Sequence, residues 1–591
     1  MDVDVAVKQG PGAGSAEVGD LIAGYLARLG VEFVFGIPGG AIEPFVNALA
    51  RSERRGGPRC ITSRHETGAA FMAEGYHSAS GKLAVCFATT GPGATNLITG
   101  VASAFANHIP MLVITAQTPL DTFGRGAFQE SSCTGINTLA MFEGITRYNS
   151  LVSHPDQVET KLAAAVLRAF EYPRGPVHLS VPMDVMRAEG ARAHHLPRLE
   201  RHLRAPDMVD ETAVAELAQL LASSRSPVLV IGNRAAEAMP PILALAEARD
   251  IPLVVTPNGN GLVSVRHPLY RGVIGFAGHG SALKTLRDGR VDLVVAVGTS
   301  LGEWASNGWD ELSLLNDRLV HVEASPHHFV ASPMARLHVT GALATVFRQL
   351  LAGQQTRGGA LRPVVDGAAE PVSHLVLEDP EGYLSDQSPI LPQRLMGLLP
   401  ELFPPQTRYL ADTGNSFAWA IHYLHPRPDA LPPGDAPRGG LFRTCLEFSS
   451  MGWAIGSAVG TALALPDTPV VCITGDGSYL MSGQEITVAL AENLPVFYVI
   501  LNDAGYGMVK HGQRQTGAEP LGYLLPPVDF AAMARAMGVD GHVIQSVDDL
   551  AALDIPALCR QRRPVLLDVR IDPEAKPPLE VRTNTLKGGR P

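Results

Sequence analysis

The sequence predicts an α/β chain built from three doubly wound parallel-sheet domains. Three observations lead there: apolar runs that alternate with helical patterns, two stretches that read as linkers, and an internal repeat. The runs include "EFVFG", "KLAVCFAT", "MLVITA", "PVLVIG", "IPLVV", "VDLVVAVG", "PVVCIT", "PVFYVIL" and "PVLLDV". Such runs read as strands covered on both faces, and helices between them imply parallel pairing. Right-handed crossovers then gather the loops that follow the strands at one edge, where ligands of such folds bind.

The linkers come next. Residues 187–210 are charged and lack a clean period, and residues 352–392 mix Gly, Pro and acidic residues. They delimit domains at 16–187, 208–352 and 390–572, and leave 1–15 and 573–591 as tails. Three domains also suit a chain of 591 residues, since one domain holds roughly 100–200.

Composition excludes several classes. Hydrophobic residues make up 46% and charged residues 18%, which argues for filled cores and against disorder. The net charge of −11 carries no long basic run, so no nucleic-acid partner is expected. Six scattered cysteines form no CxxC pair, and Cys86 and Cys472 lie in apolar runs, so they read as thiols rather than disulfides or zinc ligands. The first twenty residues lack the basic start and apolar core of a signal peptide. No apolar run approaches the roughly 20 residues that span a membrane. The expectation is a soluble, cytoplasmic protein.

The repeat pairs "GKLAVCFATTGPGATNLITGVASAFANHIPMLVITAQ" (81–117) with "DTPVVCITGDGSYLMSGQEITVALAENLPVFYVILND" (467–503). Each has an apolar strand, a TGxG turn, a helix, and a proline before a second strand. Thr90 to Pro110 spans 20 positions and Thr474 to Pro495 spans 21. The first and third domains are therefore expected to share a fold, with the second a looser relative.

The copies differ at one telling place. Pro92 in the first stands where Asp476 stands in the second. Turn geometry alone does not ask for that carboxylate. Gly477 lets another group approach the backbone, and Ser482 to Glu485 reads as a capping box that starts a helix just downstream. The next apolar run ends in Asn502-Asp503-Ala504-Gly505. Alone, Asp476 reads as a turn cap and Asp503 as a loop start. As a pair at neighbouring strand ends, with a glycine carbonyl, they form a hard oxygen site suited to Mg²⁺ shared with phosphate.

These residues carry a resemblance. Gly475-Asp476-Gly477 followed by Asn502-Asp503 resembles the thiamin-diphosphate motif, which usually ends in Asn-Asn. "FGIPGGAIEPF", "SRHETGAAFMAEGYHSASG", "TTGPGATN", "GAFQE", "GPVHLSVPMDV", "SSMGWAIGSAVG" and "AGYGMV" are similar to the acetolactate synthase branch. The resemblance implies a pyrimidine-binding first domain, a degenerate Rossmann-like central domain and a diphosphate-binding third domain. It implies an active site between the first domain of one subunit and the third of another, hence a homodimer or homotetramer.

By the same resemblance, Glu66 of "RHE" hydrogen-bonds N1′ of the aminopyrimidine, and Gln129, beside Phe128, lines the catalytic pocket. Pro38, Gly39, Pro92 and Asn96 match cofactor-contacting positions of the first domain. Met451 matches the bulky residue that holds the cofactor bent, which is catalysis by proximity. Gly414, Asn415 and Ser416 match the segment on the diphosphate, as do Gly477, Ser478, Tyr506, Gly507 and Met508. Asp476, Asp503 and the carbonyl of Gly505 match the Mg²⁺ ligands. The implied reaction is decarboxylation of a pyruvate-like 2-oxo acid, with carboligation of the enamine to a second carbonyl. The alternatives are a non-ligating 2-oxo acid decarboxylase and a non-catalytic homologue.

The departures are informative too. Asp503 replaces the usual Asn, as in catabolic, flavin-independent members. Gly512 stands near the place of an acceptor-selecting tryptophan, and Met183 at that of a lysine. "VGTSLGEWASNGW" replaces an arginine-bearing flavin segment. Together they count against FAD. Lys510 and His511 read either as active-site groups or as part of a solvated loop.

Overall fold

A computed structural model describes residues 16–189, 203, 207–355, 374–432 and 437–579. Of the expected linkers and tails, residues 1–15, 190–202, 204–206, 356–373 and 580–591 lie outside the described residues. The chain forms two compact units: Met1–His77 with Lys82–Ala205, and Pro206–Pro591 with Ser78–Gly81.

The first unit holds one sheet: β1 (Phe33–Gly36), β2 (Arg59–Thr62), β3 (Ala84–Ala88), β4 (Met111–Gln117), β5 (Tyr148–Leu151) and β6 (Pro176–Pro182), ordered β2-β1-β3-β4-β6-β5. All its pairings are parallel. β4 and β6 are buried at every position, with no alternation. Helices therefore cover both faces, as the apolar runs require.

The second unit holds two sheets. The central one comprises β7 (Pro227–Ile231), β8 (Leu253–Val255), β9 (Tyr270–Val273), β10 (Leu293–Val297), β11 (Leu319–Glu323) and β12 (Leu337–Thr340). Its order is β12-β11-β10-β7-β8-β9. The last sheet comprises β13 (Arg408–Ala411), β14 (Phe442–Thr444), β15 (Val470–Gly475), β16 (Val496–Asn502), β17 (Asp540–Ile544) and β18 (Val565–Arg570), ordered β14-β13-β15-β16-β18-β17. Counted from its own first strand, each outer sheet runs 2-1-3-4-6-5. The central sheet runs 3-2-1-4-5-6, the order of dinucleotide-binding sheets. The chain is thus α/β, with three domains that each carry a six-stranded parallel sheet. The two repeat copies sit at the same place in the outer sheets.

One local expectation is corrected. The helix after β15 begins at Asp476 itself and runs to Ser482. Ser482 makes no capping hydrogen bond, and a 3-10 turn, Gly483–Glu485, follows it. The strand passes straight into the helix, and the expected helix just downstream does begin, at Ile486, but without the capping box. Ser482 instead packs over Gly452, where an added Cβ would lie 2.3 Å from its Oγ.

The central and third domains share one core. Phe276 stacks on Phe417 at 5.0 Å between ring centres. Two buried histidines cross the same boundary. His279 Nδ1 accepts from Val273 N (3.0 Å) while its Nε2–H donates to His422 O (2.9 Å). His422 Nδ1–H donates to Ala277 O (3.1 Å) and its Nε2 accepts from Glu378 N (3.1 Å). Each ring has one donor and one acceptor in use, which fits only neutral imidazole. Burial pushes His279 well below the usual range and His422 down to about 4, with His279 also facing His422 and His425.

A depressed native pKa means that the unfolded chain takes up protons, from about pH 6.5 downward, that the native state refuses. Stability contributed by these rings is complete above that pH and is lost toward pH 4. The urea midpoint of the second unit is therefore expected to fall between pH 7 and 5, and to fall less in a His422→Gln variant. A pH-independent midpoint refutes this account.

Candidate active site

Sheet order locates the candidate site. In the last sheet the direction of winding reverses between β13 and β15, and ligands of doubly wound sheets bind outside such a switch point. Three carboxylates leave strand ends there. β13 pairs with β15 at Ala411–Ile473, and β15 with β16 at Gly475–Leu501. Asp412, Asp476 and Asp503 therefore follow adjacent strands.

Asp412 is buried and committed to backbone. It accepts from Gly452 N (2.9 Å), Ala454 N (3.2 Å) and Thr474 Oγ1 (3.0 Å), while Ser416 Oγ donates to its carbonyl (2.7 Å). Burial raises its pKa against those hydrogen bonds. Its acceptors fix Gly452, whose φ of +87 caps the helix Trp453–Ala464, and so they fix the half-buried Met451 just before it. The sequence reading missed Asp412. It offered only an acid at the end of "RYLAD", with no partner in sight.

Asp476 is 3% exposed at the first position of its helix. It accepts from Gly477 N (2.6 Å) and Gly505 N (3.1 Å). Burial outweighs those bonds and lifts it to about 6. Asp503 is lifted to about 7, first by burial and then by the Asp476 charge, against the pull of Lys510. Two carboxylates so placed favour a cation between them. Among the described residues no group of three His, Cys, Asp or Glu side chains forms a metal cluster. The pair, with backbone oxygen, is what the sheet offers.

Other predicted residues lie around this pair. An added Cβ on Gly507 would lie 2.4 Å from Asn415 Nδ2 and 2.7 Å from Asp503 Oδ2, so those two side chains adjoin and leave no room for a larger residue. Gly477 fulfils its expected part in the same way: the group that comes close is the Tyr506 ring, 2.5 Å from an added Cβ. Gly414 has a φ of +124 and precedes the helix Asn415–Tyr423. Ala504 is left-handed at +55, turning the chain between Asp503 and Gly505. Tyr506 caps the helix Gly507–Thr516, and Met508 packs against the core. Asn415 Oδ1, Ser450 Oγ and Ser478 Oγ are buried without a partner. Buried polar atoms normally find one, so these suit a polar ligand. Lys510 turns to Glu574 Oε1 (2.6 Å) and Pro573 O (2.8 Å), and His511 is buried beside it.

The first unit carries the remaining candidates. Glu66 begins the helix Glu66–Ser80, is 7% exposed, and accepts from Asn96 Nδ2 (3.0 Å). Its Oε1 lies 3.2 Å from a Cβ built on Gly93. Pro92 and Asn96 bound a five-residue helix that starts after Gly91. Pro38 and Gly39 lie in the loop after β1, with Gly39 against Thr89. Gln129 is left-handed at +61, and Thr90 Oγ1 donates to its carbonyl (3.0 Å).

This fold and these strand-end loops place the chain among α/β enzymes that seat a ligand at topological switch points. Comparison with known proteins refines the class. Residues 16–136 match the family model of the thiamine pyrophosphate enzyme N-terminal TPP binding domain, 214–350 its central domain and 412–569 its C-terminal TPP binding domain. A chain of Mycobacterium tuberculosis, strain H37Rv, whose given name assigns it provisionally to the acetolactate synthase large subunits, is 32% identical over 95% of this chain and 99% of its own. The acetolactate synthase large subunit of Parasynechococcus marenigrum is 31% identical over 92% and 86%. The acetolactate synthase isozyme 2 large subunit of Escherichia coli K12 is 30% identical over 93% and 94%. The chain belongs to the thiamine pyrophosphate enzyme family and is a thiamin-diphosphate-dependent enzyme. Among the described residues no helix is long and apolar enough to cross a membrane.

Replacing Asp412 by Ala leaves two buried N–H groups and a hydroxyl without their acceptor, at about 1–3 kcal/mol each when unpaired. The expected loss is about 3 kcal/mol in urea unfolding of the second unit. Wild-type stability in the variant refutes this role.

Proposed function

We propose that the enzyme decarboxylates a pyruvate-like 2-oxo acid and joins the retained fragment to a second carbonyl, as acetolactate synthases are named for doing. The observation that carries the reading is the pair of the buried Asp476 and the half-buried Asp503, with Asn415 Oδ1 and Ser478 Oγ left unpartnered near it. In this reading Asp476, Asp503 and the Gly505 carbonyl hold Mg²⁺ on the diphosphate. Gly414, Asn415, Ser416, Gly477, Ser478, Tyr506, Gly507 and Met508 surround it. Glu66, Pro38, Gly39, Pro92 and Asn96 serve the pyrimidine end, and Met451 holds the bend. Thiamin diphosphate, when bound, supplies the carbon acid and the electron sink that 2-oxo acid decarboxylation needs.

The chain's own residues supply placement and dryness. The Asn96 amide holds Glu66 by Oε2 and leaves Oε1 to hold or release a proton at the pyrimidine. Burial keeps water from competing for it. Gln129 hydrogen-bonds the substrate or the acceptor. The domains are those drawn from the sequence, 16–187, 208–352 and 390–572. Assembly as a homodimer or homotetramer and a cytoplasmic location belong to the same proposal.

FAD is not part of this reading. The central sheet has the order of a nucleotide-binding fold, yet its switch point between β7 and β10 is filled by the chain itself. A Cβ on Gly232 would lie 2.2 Å from Gly298 O. Arg234 from the same loop pairs with the buried Glu323 at 2.5 Å.

The purified protein with pyruvate, thiamin diphosphate and Mg²⁺ is expected to release carbon dioxide together with acetolactate. Aldehyde as the sole product refutes carboligation in favour of simple decarboxylation. Glu66→Gln is expected to lower kcat by at least about 100-fold while calorimetry still shows cofactor binding. Unchanged turnover removes Glu66 from the chemistry. Asp476→Ala is expected to weaken Mg²⁺-dependent cofactor binding about tenfold or more, equivalent to about 1.4 kcal/mol. Wild-type affinity refutes the metal assignment.

A further inference from the structure

The loop of the first unit that carries Phe128 and Gln129 is built around one carboxylate oxygen. Glu130 Oε1 accepts from Gly124 N (2.7 Å), Ser132 Oγ (2.5 Å) and Thr134 Oγ1 (2.8 Å). Three donors from both sides of the loop thus meet at one atom. Hydrogen bonds of this kind, led by the Gly124 amide, hold the Glu130 carboxyl at about 2. The loop also contains left-handed residues at Gly124, Gly126 and Gln129. A left-handed glutamine is unfavourable alone and persists where surrounding contacts fix it.

Those contacts form a second clamp. Thr90 Oγ1 donates to Gln129 O (3.0 Å) and meets Ser131 Oγ at 2.5 Å. Gly91 N donates to Ser131 Oγ (3.1 Å), and Gln117 Nε2 donates to Ser131 O (2.6 Å). The ends of β3 and β4 therefore grip the residues flanking Glu130, while Glu130 gathers residues 124–134 into a closed turn. Phe128 stands at its apex, 87% exposed. Nothing within the turn covers the ring.

We infer that Glu130 is a positioning residue for substrate: by closing the loop on its Oε1, beside the clamp that holds Gln129 left-handed, it keeps Phe128 and Gln129 in one arrangement toward the 2-oxo acid or its acceptor. Glu130 itself does not touch substrate. Its three bonds are spent within the loop, so it acts through Gln129. The inference rests on the function proposed above.

The test uses the full-length protein and has two arms. In hydrogen exchange, the Gly124 amide and its neighbours through 135 are expected to exchange about tenfold faster in Glu130→Ala, a local opening rather than global unfolding. Glu130→Gln retains the single Oε1 acceptor and is expected to restore protection. In kinetics with pyruvate, Glu130→Ala is expected to raise KM several-fold, with thiamin diphosphate affinity unchanged and kcat less affected. In a Gln129→Ala background the same substitution is expected to leave KM where Gln129→Ala set it, because its effect passes through that residue.

Wild-type exchange and KM in Glu130→Ala overturn the inference. So does an undiminished KM effect in the Gln129→Ala background. A Glu130→Ala protein that no longer binds cofactor, with Glu130→Gln equally impaired, also overturns it, by assigning Glu130 to the fold at large. A wild-type protein that binds cofactor and consumes no 2-oxo acid overturns the functional reading instead, and the exchange arm still decides whether Glu130 closes the loop.

Discussion

The parallel register of β13, β15 and β16 delivers three carboxylates to one sheet edge, and the site depends on how unequally they are compensated. Asp412 has two backbone amides and a hydroxyl, and it is consumed in fixing the Gly452 turn. Asp476 has two amides, one from its own helix start and one from Gly505. Asp503 has the least, and its pKa is raised furthest of the two given values, by burial and by Asp476. Water reaches Asp476 little and Asp503 only in part, and burial of unpaired charge is costly. The edge is therefore structural at β13 and increasingly ligand-seeking toward β16.

Duplication shows that this gradient is not imposed by the fold. In both outer sheets a glycine at or soon after the end of the third strand caps a helix, and the next residue is the helix's first. That residue is Pro92 in one sheet and Asp476 in the other. Proline suits a first helical position because its missing N–H has no partner there anyway. Aspartate suits it because the helix dipole favours negative charge. Either satisfies the turn, so the carboxylate marks a difference in what the two sheets bind. Gly91 sits at +64 and Gly475 at −83. The first turn thus has the extra constraint of fitting against Gln129, 3.1 Å from a Cβ on Gly91.

The parts of this architecture that were legible follow from burial. Every apolar run read as a strand became an interior strand of its sheet, covered on both faces. The sheet edges β2, β5, β9, β12, β14 and β17 were not read. β2, β5, β12 and β17 are partly exposed, as in "RCIT", "YNSL" and "DGHVI", whereas β9 and β14 are largely buried but short, "YRGV" and "FRT", and none leaves a continuous apolar signal. Interior β6, β11 and β13 also escaped: β13, "RYLA", is short and opens on an arginine, and His178, Ser180 and His321 interrupt the other two. Those groups are buried and hydrogen-bonded, with His178 to Thr115 and Asn149 and His321 to Ser332 and Thr299 O. Pattern reading treats a polar residue as exposed, whereas a satisfied one is compatible with a core. The site residues were legible where a motif fixed their spacing. Asp412 and Glu130 were not, because their partners are backbone amides and hydroxyls that composition does not distinguish.

The central domain also supports the candidate site of the third domain. The helix Asn415–Tyr423 has its first residue beside Asp503 and its penultimate residue, His422, inserted between Ala277 and Glu378. Asn260 Nδ2 donates to Leu424 O just past its end (3.2 Å). Phe417, one turn in, stacks on Phe276. At about 1.5 Å per residue the helix is about 13 Å long, so displacement of its far end is transmitted to Asn415. A site held to sub-ångström tolerance needs its side chains on rigid, supported elements. The central domain supplies that support through neutral imidazoles and packed rings, and a helix clamped at its far end carries it to the edge where Asp476 and Asp503 leave the sheet.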